Sequence, residues 1–132
     1  MVPFMDQDYR TSGFEALAGY SYGGLFCLYV LFTHPETLDA YFAGSPSLGD
    51  VDGVWFRLEE EHAQQHDDLP TSLFLTVGTQ EEGLADLEEL AGTLRERGYP
   101  RLHTDVCILE EGNHQTAIPQ AWTEALLFLI GK

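Results

Sequence analysis

The sequence predicts an α/β protein: about four parallel strands with flanking helices, with residues 1–132 forming a single domain. Three observations carry this expectation. Short apolar runs of strand length alternate with amphipathic stretches of helical length, the pattern of a parallel sheet wrapped by crossover helices. Glycine or proline stands at nearly every change from one to the other. With 132 residues and no internal repeat or long linker, the chain suits one core, since domains commonly run from about 50 to 250 residues.

Pro3 to Tyr9 reads as a short helix and Phe14 to Ala18 as a buried strand ending at Gly19. Ser21 to Thr33 reads as a helix, stopped by Pro35, because the residue before a proline is pushed out of the helical region. Ala40 to Ala43 is the second strand, closed by Gly44-Ser45-Pro46, and Val54 to His66 is a polar helix whose exposed face carries glutamates. Leu73 to Val77 is the third strand, stopped at Gly78. Leu84, Leu87, Leu90, Ala91 and Leu94 recur at helical spacing, so Leu84 to Arg97 is a helix that Gly98 terminates. His103 to Leu109 supplies the fourth strand and Ile118 to Ile130 the closing helix.

The turn between the first strand and its helix reads Gly19-Tyr20-Ser21-Tyr22-Gly23-Gly24. It matches G-x-S-x-G in the strand-to-helix context that this motif needs. A serine there sits in a strained backbone conformation, and small neighbours let strand and helix approach each other. Ser21 is therefore the candidate nucleophile, and the backbone N–H of Tyr22, at the helix N-terminus, is the candidate oxyanion donor. A plain glycine- and serine-rich turn is the competing reading, and the flanking strand and helix weigh against it.

A serine hydroxyl needs a base, and in this chain order the base comes late. Among the five histidines, His114 alone lies in a loop between the last strand and the last helix. His34, His62, His66 and His103 occupy positions suited to a surface. The acid that orients the base should follow the third strand, where Gly78-Thr79-Gln80-Glu81-Glu82 stands. Glu81 and Glu82 both qualify, with Asp86 less well placed.

Composition narrows the partners. Acidic residues outnumber basic ones 22 to 6 and the formal charge is -16, which repels phosphate backbones and anionic membrane surfaces. No nucleic-acid or membrane partner is expected. The acidic excess resembles proteins of salt-loving organisms, whose carboxylate surfaces rely on screening; an ordinary acidic protein fits equally. No apolar stretch reaches the roughly 20 residues of a membrane span, and Met1 is not followed by a secretory leader, so the expected location is cytoplasmic. Cys27 and Cys107 lie in apolar runs and read as small buried side chains. Glu59, His62 and His66 stand at a spacing that could hold a metal ion, but a solvated helix face is the favoured reading. Neither metal nor cofactor is expected.

With these residues in place, the chain resembles the esterase group that includes the esterase D-like and enterochelin-esterase-like hydrolases of the α/β-hydrolase superfamily. The matching stretches are Tyr9-Arg10-Thr11, Ala16 to Phe26 around the elbow, Ser45-Pro46-Ser47-Leu48, Gly78-Thr79-Gln80-Glu81 and Gly112-Asn113-His114. The resemblance implies Ser21 as nucleophile, His114 as base and Glu81 as acid, although some members resemble serine–histidine dyads. It places Tyr20, Ser45 and Ser47 beside a small-molecule ester substrate and implies an acyl-enzyme. Gly49-Asp50 stands where the group often has paired tryptophans.

The group also has a further stretch of chain before the first helix, with its initial strands and a second oxyanion donor. The resemblance therefore covers a C-terminal half only, with the N-terminal strands missing. The strand at Phe14 to Ala18 is expected to present an unpaired edge, a template for another chain. A missing N-terminal half or a homo-oligomer would cover it. Two other readings compete: a truncated, non-catalytic hydrolase-like protein, and a flavodoxin-like module binding phosphate at the turn from Gly19 to Gly24. The absence of lysine or arginine near that turn counts against the second.

Overall fold

The computed structural model describes residues 2–131. Its elements, in chain order, are α1 (Val2–Asp8), β1 (Ala16–Tyr20), α2 (Tyr22–Thr33), β2 (Ala40–Gly44), α3 (Val54–Gln65), β3 (Ser72–Gly78), α4 (Leu84–Arg97), β4 (His103–Leu109) and α5 (Ile118–Ile130), with a single 3-10 turn at Gly49–Val51. The strands form one sheet in the order β1-β2-β3-β4, and every neighbouring pair is parallel. The sheet therefore grows in one direction. Right-handed crossovers then put all three connecting helices on the same face, while α5, after the last strand, returns across the other.

The two cores follow from that arrangement. On the crossover face, Leu28 and Leu31 of α2 and Leu87, Leu90 and Leu94 of α4 pack with Tyr41, Ala43, Leu73, Leu75 and Val77 of the sheet. On the opposite face, Phe42, Phe74 and Leu109 meet Ala117, Ala121 and Ala125. There the ring of Trp122 stands edge-on to Phe42, with centroids 5.2 Å apart. Each fully buried leucine or phenylalanine contributes about 1.5–3 kcal/mol. β2 is buried along its whole length, since it is central and covered on both faces.

Cys27 lies in the first core, and burial pushes its thiol up to about 12, so it behaves as a small apolar group. Both cysteines are free. No helix among the described residues is long and apolar enough to cross a membrane.

β1 runs two residues later than its apolar pattern suggests, over Ala16–Tyr20 rather than Phe14 to Ala18. Asp39 fixes the start: its Oδ2 accepts the Glu15 N–H at 2.8 Å, and its own N–H donates to the Glu15 carbonyl at 2.9 Å. Phe14 is left outside and exposed. Gly19 falls within the strand rather than after it. Ala16 and Ala18 are exposed, although the register places Ala18 beside the buried Phe42. Among the described residues, only one edge of β1 is paired.

α3 corrects a second expectation. Glu59 and His62 belong to no solvated face, with exposures of 1% and 3%. Arg97 holds both Glu59 oxygens, Nε to Oε1 at 2.9 Å and Nη2 to Oε2 at 3.0 Å, and the Tyr99 hydroxyl donates to Oε1 at 3.1 Å. Burial, together with the neighbouring carboxylate, pushes the Tyr99 hydroxyl up to about 12. His62 Nε2 lies 3.1 Å from the Asp68 carbonyl, an acceptor, so that nitrogen carries the proton. The cluster pins α3 to the end of α4. Among the described residues no group of three or more side chains is arranged to hold a metal ion.

Candidate active site

The elbow is built by close backbone approach. Ser21 has φ 60° and ψ -121°, a conformation that costs a non-glycine residue about 1–3 kcal/mol. Three contacts hold it there: its N–H donates to the Gly44 carbonyl at 2.8 Å, and its carbonyl accepts from Leu25 N at 3.1 Å and Ser47 N at 3.3 Å. A Cβ on Gly19 would lie 2.2 Å from the Gly23 carbonyl oxygen, so only glycine lets α2 turn back this tightly on β1.

A second tight approach joins the other two loops. A Cβ on Gly78, at the end of β3, would stand 2.0 Å from the Gly112 carbonyl oxygen. Thr79 N–H donates to the Leu109 carbonyl and Gln80 N–H to the Gly112 carbonyl, both at 3.0 Å. Glu111 N–H donates to Thr79 Oγ1 at 2.9 Å. Asn113 then turns the chain, its Oδ1 accepting the N–H groups of Gln115 and Thr116 at 2.9 Å each. The loop after β3 and the loop after β4 are thus laid side by side, one carrying Glu81 and the other His114.

The side chains meet at the C-terminal ends of the strands, the usual site in open parallel sheets. His114 Nε2 is 3.0 Å from Ser21 Oγ, and His114 Nδ1 is 2.7 Å from Glu81 Oε2. An ionised carboxylate only accepts, so the proton sits on Nδ1 and the Nε2 lone pair faces the serine. The Glu81 side chain is 7% exposed and the imidazole 49%. Glu82 and Asp86 border the same cavity, but of the three acidic candidates Glu81 is the one that reaches the imidazole.

The remaining expected residues divide into two groups. Ser45 and Ser47 line a cavity of about 710 Å³ together with Ser21, Tyr22 and His114, and Ser47 Oγ is 3.2 Å from Ser21 Oγ. Tyr22 opens α2, so its N–H is one of the first-turn amides that have no acceptor within the helix. Its hydroxyl donates to Asp50 Oδ2 at 3.1 Å, and that carboxylate raises the Tyr22 hydroxyl above the usual phenol range. Tyr20 stands outside the lining of that cavity, beside the imidazole with ring centroids 5.3 Å apart, and its hydroxyl donates to the His114 carbonyl at 2.9 Å. Burial, first of all, raises that hydroxyl above its ordinary value.

Sequence reasoning did not reach the partnerships of Tyr20 and Tyr22. Both depend on residues from 28 to 94 positions away, for which no local pattern exists.

No protein-family model matches the chain. It is 26% identical to the ferri-bacillibactin esterase BesA of Bacillus subtilis, over 98% of this chain and 48% of that protein. A shorter stretch of 34 residues, 26% of this chain and 12% of the relative, is 59% identical to the siderophore triacetylfusarinine C esterase of Aspergillus fumigatus. Among solved structures, the BES protein from Bacillus cereus superposes with a TM-score of 0.83 at 27% identity, over 96% of this chain and 49% of that one.

Fold and comparisons together define an α/β-hydrolase-type protein, which matches about half the length of those bacterial chains. Within that class the curated relatives are siderophore esterases, in keeping with the enterochelin-esterase-like hydrolases that the motifs resemble.

Proposed function

We propose that this chain carries the reacting groups of a serine esterase, with Ser21 as nucleophile, His114 as general base and Glu81 as the acid that orients it. The reading rests on one observation above all, the relay from Ser21 Oγ through the imidazole to Glu81 at 3.0 and 2.7 Å. Both lengths lie within normal hydrogen-bond range, and the tautomer they impose is the one a base requires.

Ser21 Oγ attacks the ester carbonyl while His114 Nε2 takes its proton. The imidazolium is held by the Glu81 carboxylate, and the negative charge on the carbonyl oxygen is met by the Tyr22 N–H at the start of α2. His114 then returns the proton to the departing alcohol, leaving an acyl group on Ser21. Water, activated by the same imidazole, releases the acid and restores the serine. The relatives are named for siderophore esters, so a siderophore ester is the substrate class proposed for the protein. Each such donor matters, since removing one from an oxyanion site typically costs about 10²–10³-fold in rate.

The test pairs labelling with turnover. A fluorophosphonate probe should modify Ser21 in the wild-type chain, and hydrolysis of a short p-nitrophenyl ester should fall at least about 10³-fold in Ser21→Ala and in His114→Ala. Undiminished turnover in Ser21→Ala refutes the nucleophile.

A further inference from the structure

Behind the imidazole, four oxygens stand in a row that neither the elbow motif nor the proposed chemistry requires. Glu81 Oε1 is 2.7 Å from Ser45 Oγ, Ser45 Oγ is 3.0 Å from the Tyr20 hydroxyl, and that hydroxyl is 2.9 Å from the His114 carbonyl oxygen. Both ends of the row are acceptors only, a carboxylate and a carbonyl, and each hydroxyl between them carries one proton. Three gaps therefore share two protons whenever Glu81 is ionised. The charge-assisted bond is the strongest, so Ser45 donates to Glu81 and Tyr20 to His114. The gap left without a proton is then Ser45 to Tyr20, which is also the longest of the three.

The backbone of Ser45 points the same way. Its φ is 37°, in the left-handed region that suits glycine and strains serine. Its N–H donates to the Thr76 carbonyl at 2.8 Å, which fixes the residue at the end of β2, and its exposure is 4%. A glycine would relax this backbone, yet the position holds a side chain whose hydroxyl is directed at Glu81. Glu81 Oε1 accepts one other bond, from Gly78 N–H at 2.8 Å. Two donors thus fix Oε1 and leave Oε2 aimed at the imidazole.

From this geometry we infer that Ser45 is a positioning residue: its hydroxyl clamps the Glu81 carboxylate so that Oε2 stays on His114 Nδ1, and Tyr20 holds the backbone of His114 from the other end of the same row. The inference rests on the proposed esterase reading for its effect on rate, but the clamp has a readout independent of turnover. Other ionisable groups lining the cavity beside the relay are Tyr22, Asp50, Glu82 and Asp86, and they are unchanged in the variants below.

The test uses Ser45→Gly and Ser45→Ala in the full chain. Both remove the hydroxyl, but glycine relieves the positive φ while alanine keeps it, so thermal stability should be higher in Ser45→Gly than in Ser45→Ala. A structural role alone makes activity follow stability. A clamp lowers kcat in both variants alike, by about tenfold, with KM unchanged. In proton NMR spectra, the hydrogen-bonded Nδ1–H signal of His114, present in wild type and in Ser21→Ala, should broaden or vanish in both Ser45 variants. Survival of that signal in Ser45→Gly overturns the clamp whatever the activity. Its loss there, in a chain with no Ser21-dependent turnover, supports the clamp and refutes the esterase reading. Full kcat in a well-folded Ser45→Gly, in a chain whose Ser21→Ala variant is dead, refutes the clamp and spares the esterase reading.

Discussion

Gly78→Ala is the substitution whose consequence the structure lets us work out most fully. The added Cβ would stand 2.0 Å from the Gly112 carbonyl oxygen and 2.5 Å from its carbon, whereas real Cβ atoms essentially never approach closer than 3.0 Å. The atoms in the way are backbone, so the loops after β3 and β4 must part by about 1 Å, the cost of such overpacking being about 1–3 kcal/mol. These two loops carry Glu81 and His114, and a 1 Å misplacement in a catalytic constellation costs up to about 10²-fold in rate. Ester hydrolysis by the variant should therefore drop by about two orders of magnitude, while urea melts show a cooperative transition at lower midpoint. Gly92→Ala is the matched control. Gly92 lies inside α4 with nothing within 4 Å of its Cβ direction, so alanine there should add roughly 0.5–1 kcal/mol of stability and leave the rate alone. Wild-type kcat in Gly78→Ala would refute the claim that this close approach sets the Glu81–His114 geometry.

Two further outcomes are expected. His62→Ala removes a buried ring that packs on Phe32 and Tyr99 and reaches the Asp68 carbonyl. It should cost about 2–4 kcal/mol in chemical denaturation without altering kcat for residual folded protein, and an unchanged midpoint would contradict the buried placement of α3. The formal charge of -16, set beside the unpaired edge and exposed alanines of β1, predicts that molar salt promotes both folding and self-association by screening repulsion. Light scattering across a salt series reads this directly, and a folded monomer at every salt concentration would show that β1 needs no cover.

Much of the fold was legible because its signals are local. Alternating apolar runs, the stops at Gly78 and Gly98 and the helical spacing of Leu87, Leu90 and Leu94 each depend on a few adjacent residues. The four parallel strands and five α-helices accordingly appear where they were expected, with ends displaced by at most two positions. Ser21 and His114 could be singled out because a strand-to-helix turn and a late loop are also local features. The resemblance pointed to Glu81 as well, but position alone left Glu81 and Glu82 both open, since they are adjacent carboxylates and the joining of two loops decides which one faces the imidazole.

What lay beyond the sequence shares one physical cause, that burial and partnership are made between distant segments. The pattern of α3 is polar, and although Glu59 shares a helix face with Trp55, its burial depends on Arg97 of α4, while Glu60 beside it is exposed. β1 begins at Ala16 because Asp39 captures Glu15 across the sheet. Tyr20 packs against the His114 ring and its hydroxyl donates to a carbonyl 94 residues away. Sequence by itself determined the kinds of element, their order and the identity of the nucleophile and base candidates, since backbone preference and apolar periodicity act over a turn or two. The tertiary structure alone decided which polar groups are buried and in which hydrogen bonds, because that choice is made when helices and loops far apart in the chain exclude water from between them.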